Sequence, residues 1–105
     1  MIEELYEGYN VTYDKQARLI ILKSLKGQTN GTLNSAMIET ELQSWGVDRG
    51  RAYVHTQLLF LANDVGAIEV KERGSFLIAT LRQAGLDHVE KRRVLPDVQP
   101  PSFGA

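Results

Sequence analysis

The feature that most constrains the fold of this chain is an abrupt change of hydrophobic period at Gly66. Before Gly66, apolar residues recur with the spacing of an α-helix, at Val54, Leu58, Leu61, Ala62 and Val65. After Gly66, apolar and polar residues alternate as in β-strands over residues 67–72 and again over residues 75–81. Because the turn residues Arg73 and Gly74 separate these two segments, the sequence predicts a helix followed directly by a short hairpin.

Two further helices are indicated upstream of this one. Asp14 is a suitable N-cap for the first helix, which runs to about Lys26 and ends at Gly27. Asn34 is a suitable N-cap for the second helix, whose predicted buried residues are Ile38, Leu42 and Trp45.

A tight turn connects the second predicted helix with the third. Gly46 ends the second helix, and Asp48 can cap a third helix of about 16 residues. Two helices joined by so short a turn around a glycine are the outline of a helix-turn-helix. A fourth helix is predicted over about residues 83–94, and Thr32-Leu33 is placed to add a third strand beside the hairpin.

Together these segments predict an α+β, mostly helical fold. Its order is helix, short strand, helix, helix, β-hairpin and helix, which is the order of a winged helix-turn-helix. The domain is expected to span residues 14–94. An acidic leader with three tyrosines, residues 1–13, precedes it, and a Pro-rich tail, residues 95–105, is expected to be extended or disordered.

Composition and charge bound the function. The chain is 43% apolar and 24% charged, as is typical of soluble globular domains, and no apolar run is long enough to cross a membrane. The absence of cysteine excludes disulfides and thiolate metal sites. The net charge is −1, but residues 1–14 carry four acidic and no basic side chains, whereas residues 15–95 carry twelve basic and eight acidic ones. The predicted domain is therefore mildly basic, as a phosphate-binding protein would be.

A resemblance to winged-helix transcriptional regulators lies in the segment LLFLANDVGAIEVKERGSFLIATLRQAGLDHVEK. Those regulators commonly end the recognition helix with leucines, a glycine and an aliphatic strand start, here Leu58, Leu61, Gly66 and Ile68. They often open the last helix with Leu-x-x-x-Gly, here Leu81 to Gly85. More narrowly, YDKQARLIILKSL and RQAGLDHVEKRRV resemble a family of small proteins of Mu-like phages and prophages. This resemblance implies a winged-helix phage or prophage product, located in the bacterial host cytoplasm, and brings no known activity with it.

The third helix is the candidate recognition helix, since such a helix reads the major groove through its N-terminal residues. Arg49 and Arg51 are the expected base or phosphate contacts, with polar support from Tyr53, His55, Thr56 and Gln57. In the hairpin, Lys71 and Arg73 are suited to backbone phosphates. For each of these residues the alternative is an ordinary solvated surface position.

Leu59 and Phe60 point away from the predicted buried stripe of the third helix. Large exposed apolar groups usually mark a contact surface, so either the leader covers them or a second copy of the chain does. A homodimer is expected, and the alternative is a helix rotated by one residue.

No catalytic constellation is evident. The two histidines, His55 and His88, have neither a nucleophile partner nor the spacing of metal ligands, and no phosphate-binding glycine loop is present. The sequence therefore predicts a non-enzymatic protein without a metal or cofactor that binds double-stranded DNA as a regulator or accessory factor. The alternative is a module for protein–protein interaction in phage replication or assembly.

Overall fold

The computed structural model describes the backbone of residues 2–102 and the side chains of residues 11–102. Within that part of the chain, four α-helices and one three-stranded antiparallel sheet are present, and about half of the residues are helical. In chain order the elements are α1 (Ile2–Lys26), β1 (Thr32–Asn34), α2 (Ser35–Ser44), α3 (Arg51–Asn63), β2 (Ile68–Arg73), β3 (Phe76–Leu81) and α4 (Gln83–Val89). The predicted α+β class and the predicted order of elements are confirmed.

The sheet has the order β1-β3-β2, so the second hairpin strand lies in its centre. Ala79 of β3 lies opposite Leu33 of β1 on one side and Val70 of β2 on the other. The predicted third strand at Thr32-Leu33 is therefore present. Asn34 ends that strand and caps α2, since its side chain accepts a hydrogen bond from the Met37 N–H at 2.8 Å.

The first helix is longer than predicted. From Ile2 onward the expected leader is the first half of α1, so Asp14 lies inside the helix and the predicted N-cap there is wrong. Residues 2–13 contain no proline to interrupt a helix.

The core lies between the helices and one face of the sheet. It is formed by residues from every element except α4, by Val47 and Ala67 in the connections, and by two residues after α4: Ala17, Ile21, Leu22, Leu25, Leu33, Ile38, Leu42, Val47, Val54, Leu58, Leu61, Ala67, Ile68, Leu77, Ala79, Leu95 and Val98. The predicted stripe of α3 is confirmed at Val54, Leu58 and Leu61, which are buried, whereas Ala62 and Val65 are only partly buried.

The connection between α2 and α3 differs from the prediction at both ends. The N–H of Gly46 donates to the carbonyl of Gln43 and that of Val47 to the carbonyl of Leu42, which satisfies the last carbonyls of α2. Val47, after the turn that ends α2, is buried, whereas Trp45 points outward with 69% of its surface exposed. The predicted position of Trp45 in the core is therefore wrong.

The start of α3 is also displaced. The N-cap is Gly50, with φ 86° and ψ 176°, a conformation essentially restricted to glycine. The helix therefore begins at Arg51, after the predicted cap Asp48.

The segment after α4 packs against the domain and is not free chain. α4 ends at Val89, earlier than predicted, and Leu95 and Val98 are buried. The N–H of Gln99 donates to the carbonyl of Lys15 in α1 at 3.2 Å. The expectation of an extended or disordered tail is therefore wrong for residues 95–99, because two apolar side chains there complete the core.

Candidate nucleic-acid interface

The outer face of α3 is the open surface next to the hairpin. Its exposed residues are Arg51, Ala52, Thr56, Leu59 and Asn63. The hydroxyl of Thr56 donates to the carbonyl of Ala52 at 3.0 Å, within the same helix. The middle of this face therefore carries only short side chains, with a cation at its N-terminal end.

Arg51 joins the start of α3 to the hairpin turn. Its Nη2 donates to the carbonyl oxygen of Ser75 at 3.1 Å and to the Ser75 hydroxyl at 2.8 Å. Its guanidinium also lies over the Phe76 ring, 5.5 Å from the centroid. A guanidinium has five N–H donors, so Arg51 can hold the hairpin and still donate outward.

Arg49 precedes α3 and lies against two aromatic rings. Its guanidinium is 5.1 Å from the centroid of Tyr13 and 5.0 Å from that of Tyr53. The two rings meet edge to face at 6.2 Å. The residue is exposed, so this pairing positions a cation at the surface beside the N-terminus of α3.

Tyr53 does not lie on the open face of α3. Its hydroxyl donates to the carboxylate of Asp14 in α1 at 2.6 Å, and its ring is half-buried. Burial, followed by the hydrogen bond to Asp14 and the charge of that carboxylate, raises the pKa of Tyr53 well above its usual range. The structure thus makes Tyr53 a link between α1 and α3, and its predicted position on the outer face of α3 is wrong.

We expect Tyr53→Phe to lower the free energy of unfolding by about 1–2 kcal/mol at neutral pH, because the Asp14 carboxylate loses its donor. In the wild type, the raised pKa means that the unfolded state loses the Tyr53 proton first. The stabilisation is therefore complete below about pH 10 and falls as the pH rises above that value. Urea denaturation at pH 7 and pH 10.5 measures both effects. A Tyr53→Phe protein as stable as the wild type at pH 7 would contradict this role.

Gln57 and His55, two further residues predicted to contact DNA, also do not lie on the outer face of α3. Gln57 is only 3% exposed, and its Oε1 accepts a hydrogen bond from Nε of Arg18 at 2.8 Å. Nε2 of His55 is buried and has no hydrogen-bond partner among residues 11–102. The predicted exposure of Gln57 is wrong because α1 packs along that side of α3 and widens its buried arc.

Leu59 and Phe60, the predicted exposed apolar pair on α3, differ in their exposure because α1 contacts only Phe60. Leu59 is 45% exposed, as expected. Phe60 is half-buried, and the guanidinium of Arg18 lies over its ring at 3.7 Å. Phe60 is therefore partly covered by a side chain of α1, and Leu59 is the more exposed residue of the pair.

The hairpin places its charges on both faces. Lys71 and Arg73 pair with Ile78 and Phe76, on the face opposite the core residues Leu77 and Ala79. Both cations are exposed, and Nζ of Lys71 lies 3.5 Å from a carboxylate oxygen of Glu69. The hairpin therefore offers two cations away from α3.

A groove of about 310 Å³ separates α3 from the hairpin. Leu59 and Asn63 line one wall, and Glu69, Glu72 and Arg82 lie on the other. Glu72 pairs with Leu77, so it belongs to the α3-facing side of the sheet. The sequence did not predict Asn63 or Arg82 as members of this site, although the helical period of α3 could have assigned Asn63 to its outer face.

The comparisons with known proteins give no relative: no protein-family model, curated protein or solved structure matches this chain. Within the described chain, no helix combines the length and apolar character needed to span a bilayer. Among residues 11–102, no three His, Cys, Asp or Glu side chains lie close enough together to hold a metal ion.

Proposed function

We propose that this chain is a winged helix-turn-helix protein of a Mu-like phage or prophage that binds double-stranded DNA. It would act as a regulator or accessory factor in the host cytoplasm. The short connection between α2 and α3, the following hairpin and the third strand at β1 support this assignment. In it, α3 is the recognition helix and the β2–β3 hairpin is the wing.

One observation carries the proposal, namely the contact of Arg51 with Ser75 at the hairpin turn. This contact joins the N-terminus of α3 and the tip of the hairpin into one edge. An α-helix fits the major groove, and it approaches the bases most closely where its side chains are short, as at Ala52 and Thr56. Arg49 and Arg51 then lie where the phosphates flank the groove.

The contact set of this proposal is smaller than the one predicted from the sequence. It keeps five of the eight residues, namely Arg49, Arg51, Thr56, Lys71 and Arg73, and adds Ala52 and Asn63 from the outer face of α3. Because Lys71 and Arg73 lie on the far face of the hairpin, they would reach phosphates beside the groove and not bases.

We expect the full chain to bind random duplex DNA, with an affinity that falls steeply between two salt concentrations. The double variant Arg49→Ala/Arg51→Ala should bind about tenfold or more weakly and reduce the slope of log K against log salt by about 2. Fluorescence anisotropy at 50 and 200 mM salt measures both effects.

The matched control is Lys26→Ala/Arg93→Ala, which also removes two exposed cations but leaves the edge between α3 and the hairpin intact. Lys26 makes an exposed ion pair with Glu90, which contributes little to stability, so the control should keep its stability. Equal losses of affinity in the two double variants would contradict a site at this edge. A wild-type chain that binds no DNA at low salt would contradict the function itself.

A second candidate is a protein-interaction module, favoured by the groove beside α3. Apolar Leu59 lies there next to Glu72, whose charge repels phosphate. Neutralising this acid would discriminate the two functions, because Glu72→Gln should strengthen binding if DNA lies along this groove.

A further inference from the structure

An open groove of about 320 Å³ lies between α1 and α2. Its apolar lining is formed by Leu19 and Ile20 of α1 and by Trp45 at the end of α2, and Lys23 and Glu41 lie beside them. Trp45 is 69% exposed, so a large apolar surface faces the solvent at this groove. Large exposed apolar groups in a concave surface usually mark a contact site.

The α2 wall of this groove belongs to a longer row of side chains. Met37, Glu41 and Trp45 are spaced at i, i+4 and i+8, so they lie on one side of the helix. Met37 and Trp45 are both exposed large apolar residues. At about 1.5 Å per residue the row is about 12 Å long, or two helical turns. The apolar surface is therefore elongated along α2 and is not confined to a single pocket.

The polar groups on the α1 side of the groove are already hydrogen-bonded. The hydroxyl of Ser24 donates to the carbonyl of Ile20 at 2.8 Å, and Nε2 of Gln28 donates to the carbonyl of Ser24 at 3.4 Å. Gly27 also lines the groove and has no side chain, so a neighbouring molecule can approach α1 closely there. Apolar side chains can therefore enter the groove without leaving these donors unsatisfied.

Opposite charges lie on the two walls of the groove. Lys23 extends from α1 and Glu41 from α2, and within residues 11–102 neither side chain is in an ion pair. Lys23 is half-buried, and a half-buried lysine covers apolar surface with its stem while its ammonium group stays in water. An occupant is therefore complementary when its flank toward α1 is acidic and its flank toward α2 is basic.

The shape of the groove favours a helix over a small molecule. Small-molecule sites have volumes of about 300–1,000 Å³ and enclose most of the ligand surface. This groove is at the lower end of that range and is open to solvent. An apolar groove about two turns long between two helices instead fits the apolar face of a third helix, whose contact residues recur at i, i+3, i+4 and i+7.

A second copy of the chain does not supply such a helix from its described residues. The helix must present several large apolar side chains on one face. Among residues 11–102, the exposed large apolar side chains are Val11 on α1, Met37 on α2 with Trp45 at its end, and Leu59 on α3. The helix that fits the groove is therefore expected to come from another protein.

We propose that the groove between α1 and α2 is the docking site for an amphipathic helix of another protein. The helix places its apolar face against Leu19, Ile20 and Trp45. Its acidic flank faces Lys23 and its basic flank faces Glu41. None of the residues that line the groove belongs to the edge between α3 and the hairpin, so the proposal does not rest on DNA binding.

Three synthetic helical peptides of about 15 residues, each with one face of leucines, serve as probes. One has an acidic and a basic flank, one has two acidic flanks and one has two basic flanks. Trp45 is the single tryptophan of the chain, so a shift of its emission to shorter wavelength reports binding to the full chain. We expect the mixed peptide to bind best, by about threefold or more at low salt. No emission shift with any peptide at about 1 mM would overturn the proposal.

Trp45→Ala tests the location of the site, since the exposed ring can be removed without disturbing the core. It should weaken binding of the mixed peptide about tenfold or more, as loss of a central aromatic contact does. Leu59→Ala is the matched control, because it removes an exposed apolar side chain from α3 and should bind like the wild type. The anisotropy of a labelled peptide measures both variants. Equal losses of affinity would place the peptide elsewhere and overturn the assignment.

Charge reversal tests the flanks of the docked helix. Lys23→Glu makes both walls acidic, so the peptide with two basic flanks should bind this variant best. Glu41→Lys makes both walls basic, so the peptide with two acidic flanks should bind it best. The uniform peptides are used because a mixed helix can reverse its direction in the groove and so exchange its flanks. An order of the three peptides that stays the same in both variants would contradict the assignment.

The free chain tests the remaining occupant, a second copy of the chain. We expect the emission of Trp45 without peptide to be independent of protein concentration, because the groove is open until a helix of another protein enters it. Sedimentation over the same concentration range gives the oligomeric state. A dimer that forms together with a shift of the Trp45 emission to shorter wavelength would assign the groove to the chain itself and overturn the proposal.

Discussion

Replacing Gly85 with alanine is expected to lower the free energy of unfolding by about 2–4 kcal/mol. A Cβ at this position would overlap the carbonyl oxygen of Ala67 and lie 2.8 Å from Cδ1 of Leu81. That carbonyl also accepts the N–H of Arg82 at 3.0 Å. α4 therefore cannot move away from Ala67 without stretching the hydrogen bond that fixes its own start.

Urea denaturation measures this loss, with Gly27→Ala as the control. At Gly27 an added Cβ would approach no atom closer than 3.4 Å, so stability should change by only about 0.5 kcal/mol. If Gly85→Ala changed stability as little as the control, the close packing of α4 against the start of β2 would be wrong.

Replacing His88 with alanine is expected to cost about 3–5 kcal/mol and to release the segment after α4. His88 is fully buried, and its Nδ1 accepts the N–H of Leu95 at 3.0 Å. The proton is therefore on Nε2, which donates to the carbonyl of Gln99 at 2.9 Å. The variant leaves a cavity and removes the partner of two backbone groups at once.

Limited proteolysis and urea denaturation together test this role. Val94→Ala is the control in the same segment, because Val94 is 71% exposed and its truncation should change stability little. In His88→Ala, cleavage after α4 should precede global unfolding. Uncleaved residues 94–99, or a stability loss below about 1 kcal/mol, would show that His88 does not hold this segment.

Elements with a strong hydrophobic period were predictable, whereas their ends were not. The stripe of α3 and the alternation of β2 and β3 each repeat several times, so the order of elements follows from the sequence. Trp45 lies where α2 stops, and one residue beyond a helix the helical period no longer assigns a face. Leu95 and Val98 are isolated apolar residues among prolines, so their burial depends on the His88 contact, which is distant in the sequence.

The sequence predicted where the candidate site lies, but not all of the residues that form it. Arg49, Arg51 and Thr56 follow from the start and the outer face of α3. Gln57 is excluded by Arg18, which lies 39 residues earlier in the chain and reaches it across the contact between α1 and α3. A helical period gives the centre of a buried stripe, but the width of that stripe depends on which neighbouring helix packs beside it.

We propose that α3 and the β2–β3 hairpin form one DNA-binding edge. Amide chemical shifts of the full chain, followed while random duplex DNA is added at low salt, test it most directly. We expect shift changes that cluster on the outer face of α3, at Arg51, Ala52 and Thr56, and on the hairpin at residues 71–76. Unchanged shifts at saturating DNA, or changes that leave both α3 and the hairpin unaffected, would contradict this edge as the binding site.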